Sequence, residues 1–67
     1  WLESISISEL LSKLPERDRL IITWRFFEDK TQSEIAKIMS LSQVQISRIE
    51  RAALHRLRQI LNEENKS

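Results

Sequence analysis

The 67-residue chain contains no glycine and one proline. Glycine supplies the positive-φ positions of tight hairpins and of Gly-rich phosphate cradles. Its absence therefore removes the dinucleotide fingerprint and the P-loop, and argues against a hairpin-built sheet. Strand-like alternation is confined to Ile5-Ser6-Ile7-Ser8, too short to build a sheet. The expectation is an all-α fold. A chain of this length makes one small domain, near the lower limit of what a single core holds together. With no cysteine, disulfides, thiolate metal sites and a cysteine nucleophile are excluded, and one histidine cannot complete a zinc site. No catalytic, metal or cofactor residues are assigned. No apolar run is long enough to cross a bilayer, and no secretory signal pattern is present. A first residue of Trp1 in place of methionine reads as a fragment or a processed chain.

Four helix signals follow one another. Ser6-Ile7-Ser8-Glu9 fits a capping box, and Ile7, Leu10, Leu11 and Leu14 follow at helical spacing. Pro15 ends that helix and suits the first turn of the next. Glu16 and Asp18 favour the positive end of that second helix, expected to run to about Phe27. On a helical projection Leu20, Trp24 and Phe27 share one face, while Ile22 and Phe26 lie on another. A helix apolar on both sides is either central to the core or keeps a face for a partner. After the polar link Glu28-Asp29-Lys30, Thr31-Gln32-Ser33-Glu34 forms a second capping box before Ile35, Ala36, Ile38 and Met39. Ser40-Leu41-Ser42 is a tight connection. Ser42-Gln43-Val44-Gln45 is a third box, opening a helix to about Asn62, with Ile46, Ile49, Ala53, Leu57 and Ile60 in one stripe. Residues 63–67 are expected to fray.

Charge is unevenly spread. Residues 42–61 hold Arg48, Arg51, Arg56 and Arg58 against the single acid Glu50, whereas the segments on either side are each slightly acidic. The net charge of +1 conceals this concentration. With Ile46 facing inward and about 100° per residue, Val44, Arg48, Arg51 and His55 point the opposite way, with Ser47 and Arg58 on one flank. A short helix, a three-residue turn and a long capped helix make a helix-turn-helix over about residues 31–60. Ala36 permits the close crossing, Leu41 plugs the angle, and Ile46 and Ile49 bury the inner side. The basic outer face is the pattern of a helix lying in a major groove. Gln43, Val44, Ser47 and Arg48 are the candidate base contacts. Arg51 and Arg58 would meet phosphates further along. The helix N-terminus at Thr31 is a second candidate phosphate site, with the Thr31 and Ser33 hydroxyls as added donors.

The strings Leu14-Pro15-Glu16-Arg17-Asp18-Arg19, Trp24-Arg25-Phe26-Phe27, Thr31 to Ala36, Ser42 to Glu50 and Ala53 to Arg58, in that order, closely resemble region 4 of bacterial sigma factors. The likeness is strongest to the sporulation, stress and flagellar branch. The resemblance implies a domain over residues 1–67 that recognises the −35 element of promoters and directs transcription initiation in the bacterial cytoplasm, at the nucleoid. It also implies docking on the RNA polymerase β flap through apolar surface, for which Trp24, Phe26 and Phe27 are the candidates, and an anti-sigma factor as a further partner. Matched to the motif, base contacts fall on Gln43, Val44 and Ser47 with Arg48 beside them, and phosphate contacts on Thr31, Gln32, Ser33 and Arg58. No enzymatic activity and no membrane contact are implied, and the isolated domain is expected to be a monomer. The intact factor would be longer, since nothing here reads the −10 element. The family usually has glycine where this chain has Ser40; in a left-handed conformation serine costs roughly 1 kcal/mol relative to glycine.

Blander readings stand beside these. Arg48 and Arg51 could pair with Glu50 or Glu34, an exposed pair being worth little. Val44 alone on a surface is ordinary, and His55 reads as a surface residue near phosphate. Trp24, Phe26 and Phe27 would each usually be core, but a domain this small cannot bury all three together with Trp1, Leu2 and Ile5. Two rival functions are an interaction module held by RNA polymerase or an anti-sigma factor with little DNA affinity, and an ordinary helix-turn-helix repressor. The absence of a recognisable dimer element counts against the repressor.

Overall fold

A computed structural model describes the backbone of residues 6–66 and the side chains of residues 6–63. The expectations for Trp1, Leu2, Ile5 and Ser67 fall outside the described residues. Four helices follow in order, α1 (Ile7–Ser12), α2 (Glu16–Phe26), α3 (Gln32–Met39) and α4 (Gln43–Lys66), with no strand among the described residues. The all-α expectation and its four elements hold.

Helices α1, α3 and α4 start where a side chain satisfies an orphan amide. The Ser6 hydroxyl accepts from the Glu9 amide at 3.2 Å. Helix α2 has no side-chain cap: Pro15 stands one residue outside it at ψ 152°, and its carbonyl accepts the first helical bond, from the Arg19 amide at 2.9 Å. The Thr31 box is complete in both directions, at 3.1 and 2.8 Å. The Ser42 box is complete as well: the Gln45 amide donates to the Ser42 hydroxyl at 3.1 Å, and the Ser42 amide to the Gln45 side-chain oxygen at 2.9 Å.

The turn between α3 and α4 uses the left-handed conformation that the glycine-free sequence makes costly. Ser40 has φ 57° and ψ 40°. The Leu41 amide donates to the Ala36 carbonyl at 2.9 Å and the Ser40 amide to that of Lys37 at 3.4 Å, the two bonds of a Schellman motif. Leu41 packs back against the cluster holding Ile35 and Ala36, as the plug between the two helices. A second positive φ, 57° at Asp29, lies in the link after α2, where the Lys30 amide reaches the Trp24 carbonyl at 2.9 Å. Aspartate is among the few non-glycine residues that visit this region readily.

Two apolar clusters share α4. Ile21, Ile35, Ala36 and Ile46 form one, with Trp24, Met39, Leu41 and Ile49 against it. Leu10, Leu14, Ile22, Ala53, Leu57 and Ile60 form the other, with Leu11 and Leu61 against it. Ile21, Ile35 and Ile46 are fully buried, worth about 1.5–3 kcal/mol each in removed apolar surface. Helix α2 is the common wall: its neighbours Ile21 and Ile22, about 100° apart, enter different clusters. Ile21, on neither apolar face expected from the sequence, is the most buried residue of α2, and Leu20, Trp24 and Phe27, expected on one face, part company. Leu20 and Phe27 are exposed, and Trp24 is half-buried against the helix-turn-helix cluster. Helix α4 also continues past Asn62, through Lys66; no proline or glycine intervenes to stop it.

Candidate nucleic-acid interface

The outer face of α4 is assembled by the inner one. With Ile46 seated in the core, Val44 is left 61% exposed, and Gln43, Arg48, Arg51, His55 and Arg58 are exposed along the same side or its flanks. Ser47 is half-buried at the edge. Among the described residues Arg48, Arg51, Arg56 and Arg58 have no acidic partner, so their charge is available to an external anion.

Glu50 explains part of that. The sequence left it open as a partner for Arg48 or Arg51, but the structure turns it the other way. Its carboxylate accepts from Gln32 Nε2 at 3.0 Å and lies 3.2 Å from Arg25 Nε, with only 12% of the side chain exposed. The Arg25 Nε–H is not aimed at the oxygen, so the contact is a charge pairing and not a hydrogen bond. The signal was present in the sequence: Glu50 lies four residues after Ile46, about 40° from the inward direction. The only acid of residues 42–61 is thereby withdrawn from the basic face.

The first turn of α3 stands beside the start of α4. Ser33 Oγ donates to Gln43 Oε1 at 3.1 Å, which joins a candidate phosphate contact to a candidate base contact. Gln32, another candidate, is half-buried, and its Nε2 donates to Glu50. What these two residues offer a phosphate is their backbone N–H, which has no intrahelical acceptor at this end. Thr31 is exposed and occupied by its capping box. Glu34, at the same N-terminus, is held below the ordinary carboxylate value by the Thr31 backbone N–H first and the Thr31 hydroxyl second, with Lys30 and Lys37 adding to the effect. The protein's own carboxylate thus occupies part of the positive end of α3, and a phosphate would meet the Gln32 and Ser33 amides beside it.

Residues 10–59 match the sigma-70 region 4 family. The chain belongs to that family. It is 43% identical over 58 residues to the RNA polymerase sigma-G factor of Clostridium acetobutylicum, and 41% identical over 58 residues to the RNA polymerase sigma-F factor of Bacillus subtilis. Each alignment covers 87% of this chain and 23% of the relative. The RNA polymerase sigma factor SigF of Mycobacterium tuberculosis is 45% identical over 49 residues, 73% of this chain and 19% of the relative. This region 4 chain therefore spans less than a quarter of the curated relatives just named. No solved structure matches it. The likeness to sigma-F and sigma-G factors agrees with the alternative sigma branch expected from the Ser42 to Glu50 string.

Beyond Leu54, which also borders Arg51, His55 and Arg58, Phe26 and Phe27 are 50% and 58% exposed. They line an open apolar groove with Ile7, Leu11, Ile22 and Leu54. Of the three aromatic residues expected at a partner surface, these two come together in the groove, and Trp24 stands apart at the edge of the helix-turn-helix cluster. Among the described residues no group of His, Asp or Glu is arranged to hold a metal, and no helix is long and apolar enough to cross a membrane.

Proposed function

We propose that the chain is the promoter-reading part of an RNA polymerase sigma factor, placing the outer face of α4 in the major groove of the −35 element. The observation that carries this is the exposed, acid-free face of α4 in a chain of the region 4 family. Gln43, Val44, Ser47 and Arg48 read base edges: glutamine suits adenine, arginine suits guanine, and valine meets a thymine methyl. Arg51 and Arg58, with the amides of Gln32 and Ser33 and the side of Thr31, hold the phosphates on either side. The chain works as a binding module at the bacterial nucleoid and performs no chemistry.

The apolar groove is the docking site for RNA polymerase. Phe26 and Phe27 present apolar surface to the β flap, and Trp24 braces the same helix from behind. An anti-sigma factor competing for that groove would remove the domain from the promoter.

The test is a salt-dependent gel shift with promoter duplexes, comparing the chain with the Arg48→Ala, Arg51→Ala variant. Binding should weaken steeply as salt rises, and the variant should flatten the log–log slope by about 1 for each arginine–phosphate pairing removed. An absence of any shift at low salt, with tight binding to a flap-tip peptide, would make the chain an interaction module.

A further inference from the structure

We propose that Glu50 is a positioning residue for base reading: through Gln32 and Arg25 it fixes the angle at which α4 crosses α3, and so the angle at which the base-contacting side chains enter the groove. The inference rests on the promoter-reading role proposed above.

The first turn of α3 is tied to α4 at two points. Ser33 holds Gln43, and its neighbour Gln32 holds Glu50. Gln43 and Glu50 are seven residues apart, which is about two helical turns and the same side of α4. One attachment would leave α4 free to pivot about it, whereas two along one edge fix its direction. On the apolar side, fully buried Ile46 lies between those two positions in sequence and packs with Ile35 and Ala36. The crossing is thereby held by a buried apolar contact with two polar ties along its edge. Contacts to base edges need this, because productive geometry tolerates an error of only about 10–20°.

The far end of the clamp is also anchored. A carboxylate this enclosed needs a counter-charge, and Arg25 of α2 supplies it at 3.2 Å. The Arg25 guanidinium lies over the Phe26 ring, 5.7 Å from its centroid, a cation–π placement that restrains the arginine. Glu50 therefore joins α2, α3 and α4 through one oxygen atom. It also differs from a simple screening acid, since only 12% of its side chain is exposed.

The test begins by selecting a preferred duplex with the wild-type chain from a library randomised over a central window. Affinity is then measured by fluorescence anisotropy for that duplex and for a scrambled one. Glu50→Ala deletes a negative charge, so a purely electrostatic role would raise both affinities alike. A positioning role instead lowers the preferred-to-scrambled ratio, by about tenfold if one bidentate base contact is misaligned. Glu50→Gln keeps an oxygen for Gln32 and should lose less. Glu28→Gln makes the same charge change at an exposed site and should leave the ratio unchanged. Gln32→Ala removes the clamp from its outer end; it should lower the ratio and be non-additive with Glu50→Ala. It decides the matter if Glu50→Ala does not fold by circular dichroism. An unchanged ratio in the folded Glu50 and Gln32 variants overturns the proposal. A wild-type chain that shows no preference for any duplex overturns the promoter-reading role itself, a separate result.

Discussion

Around its first two turns α4 is met by a capping box, a Schellman turn and side-chain bonds from α3. Further along, it packs on α1 and α2 through Ala53, Leu57 and Ile60, and an open apolar groove runs beside that contact. The first region is tied around fully buried Ile35 and Ile46 by polar and apolar contacts, and leaves Val44 and Ile38 exposed at its surface. The second leaves Phe26, Phe27 and Ile7 at least half exposed. A small domain cannot enclose everything apolar that it carries. This one places its fully buried isoleucines at the crossing of α2, α3 and α4 and leaves an open groove beside α1 and α2.

Truncating an apolar residue in each region challenges that contrast most severely. Ile46→Ala should cost about 2–5 kcal/mol, because it empties a fully buried site in the crossing. Phe27→Ala should cost under about 1 kcal/mol, because most of that ring already faces solvent. Urea denaturation of the two variants checks the difference. Equal losses would mean that the groove is as much core as the crossing is.

The Ser40 turn probes the first region with a smaller effect. Ser40 occupies the left-handed region at φ 57°, so Ser40→Gly should relieve roughly 1 kcal/mol. That corresponds to a melting temperature higher by about 4–8 °C in a domain of this size. A lowered value would show that the serine hydroxyl contributes more than its backbone conformation costs.

Much of the first region was legible because its signals are local. Thr31 with Glu34 and Ser42 with Gln45 are capping pairs three residues apart, and each forms as the spacing requires. The stripe from Ile46 to Ile60 is a matter of period alone, and so is the exposure of Val44 and Arg48 opposite it. Long-range choices were less legible. Nothing in α2 alone ranks Ile21 above Leu20, since the inward direction of that helix is set by α3 and α4 packing on it. Trp24 parts from Phe26 and Phe27 for the same reason. Glu50 is the intermediate case: its inward angle was readable from Ile46, but its partners, Gln32 and Arg25, lie on two other helices and are joined to it only by the fold.

The smallest expected effect concerns pH. Glu34 is depressed below its ordinary value of 4.5 by bonds from Thr31 that exist only in the folded state. A carboxylate lowered on folding adds stability above its unfolded value, and that contribution disappears as pH falls through the folded one. Glu34→Gln should therefore lower the melting temperature slightly at neutral pH, and the difference from wild type should close as pH drops below 4.5. A gap that stayed constant into acid would assign the effect to packing and not to charge.

Whether the outer face of α4 seats in duplex DNA can be followed residue by residue, through amide chemical shifts during titration with a promoter duplex. Seating in the groove predicts the largest changes at Gln43, Val44, Ser47 and Arg48, with smaller ones at Gln32 and Ser33. Changes confined to Phe26, Phe27 and the groove they line, with the start of α4 unmoved, would contradict it.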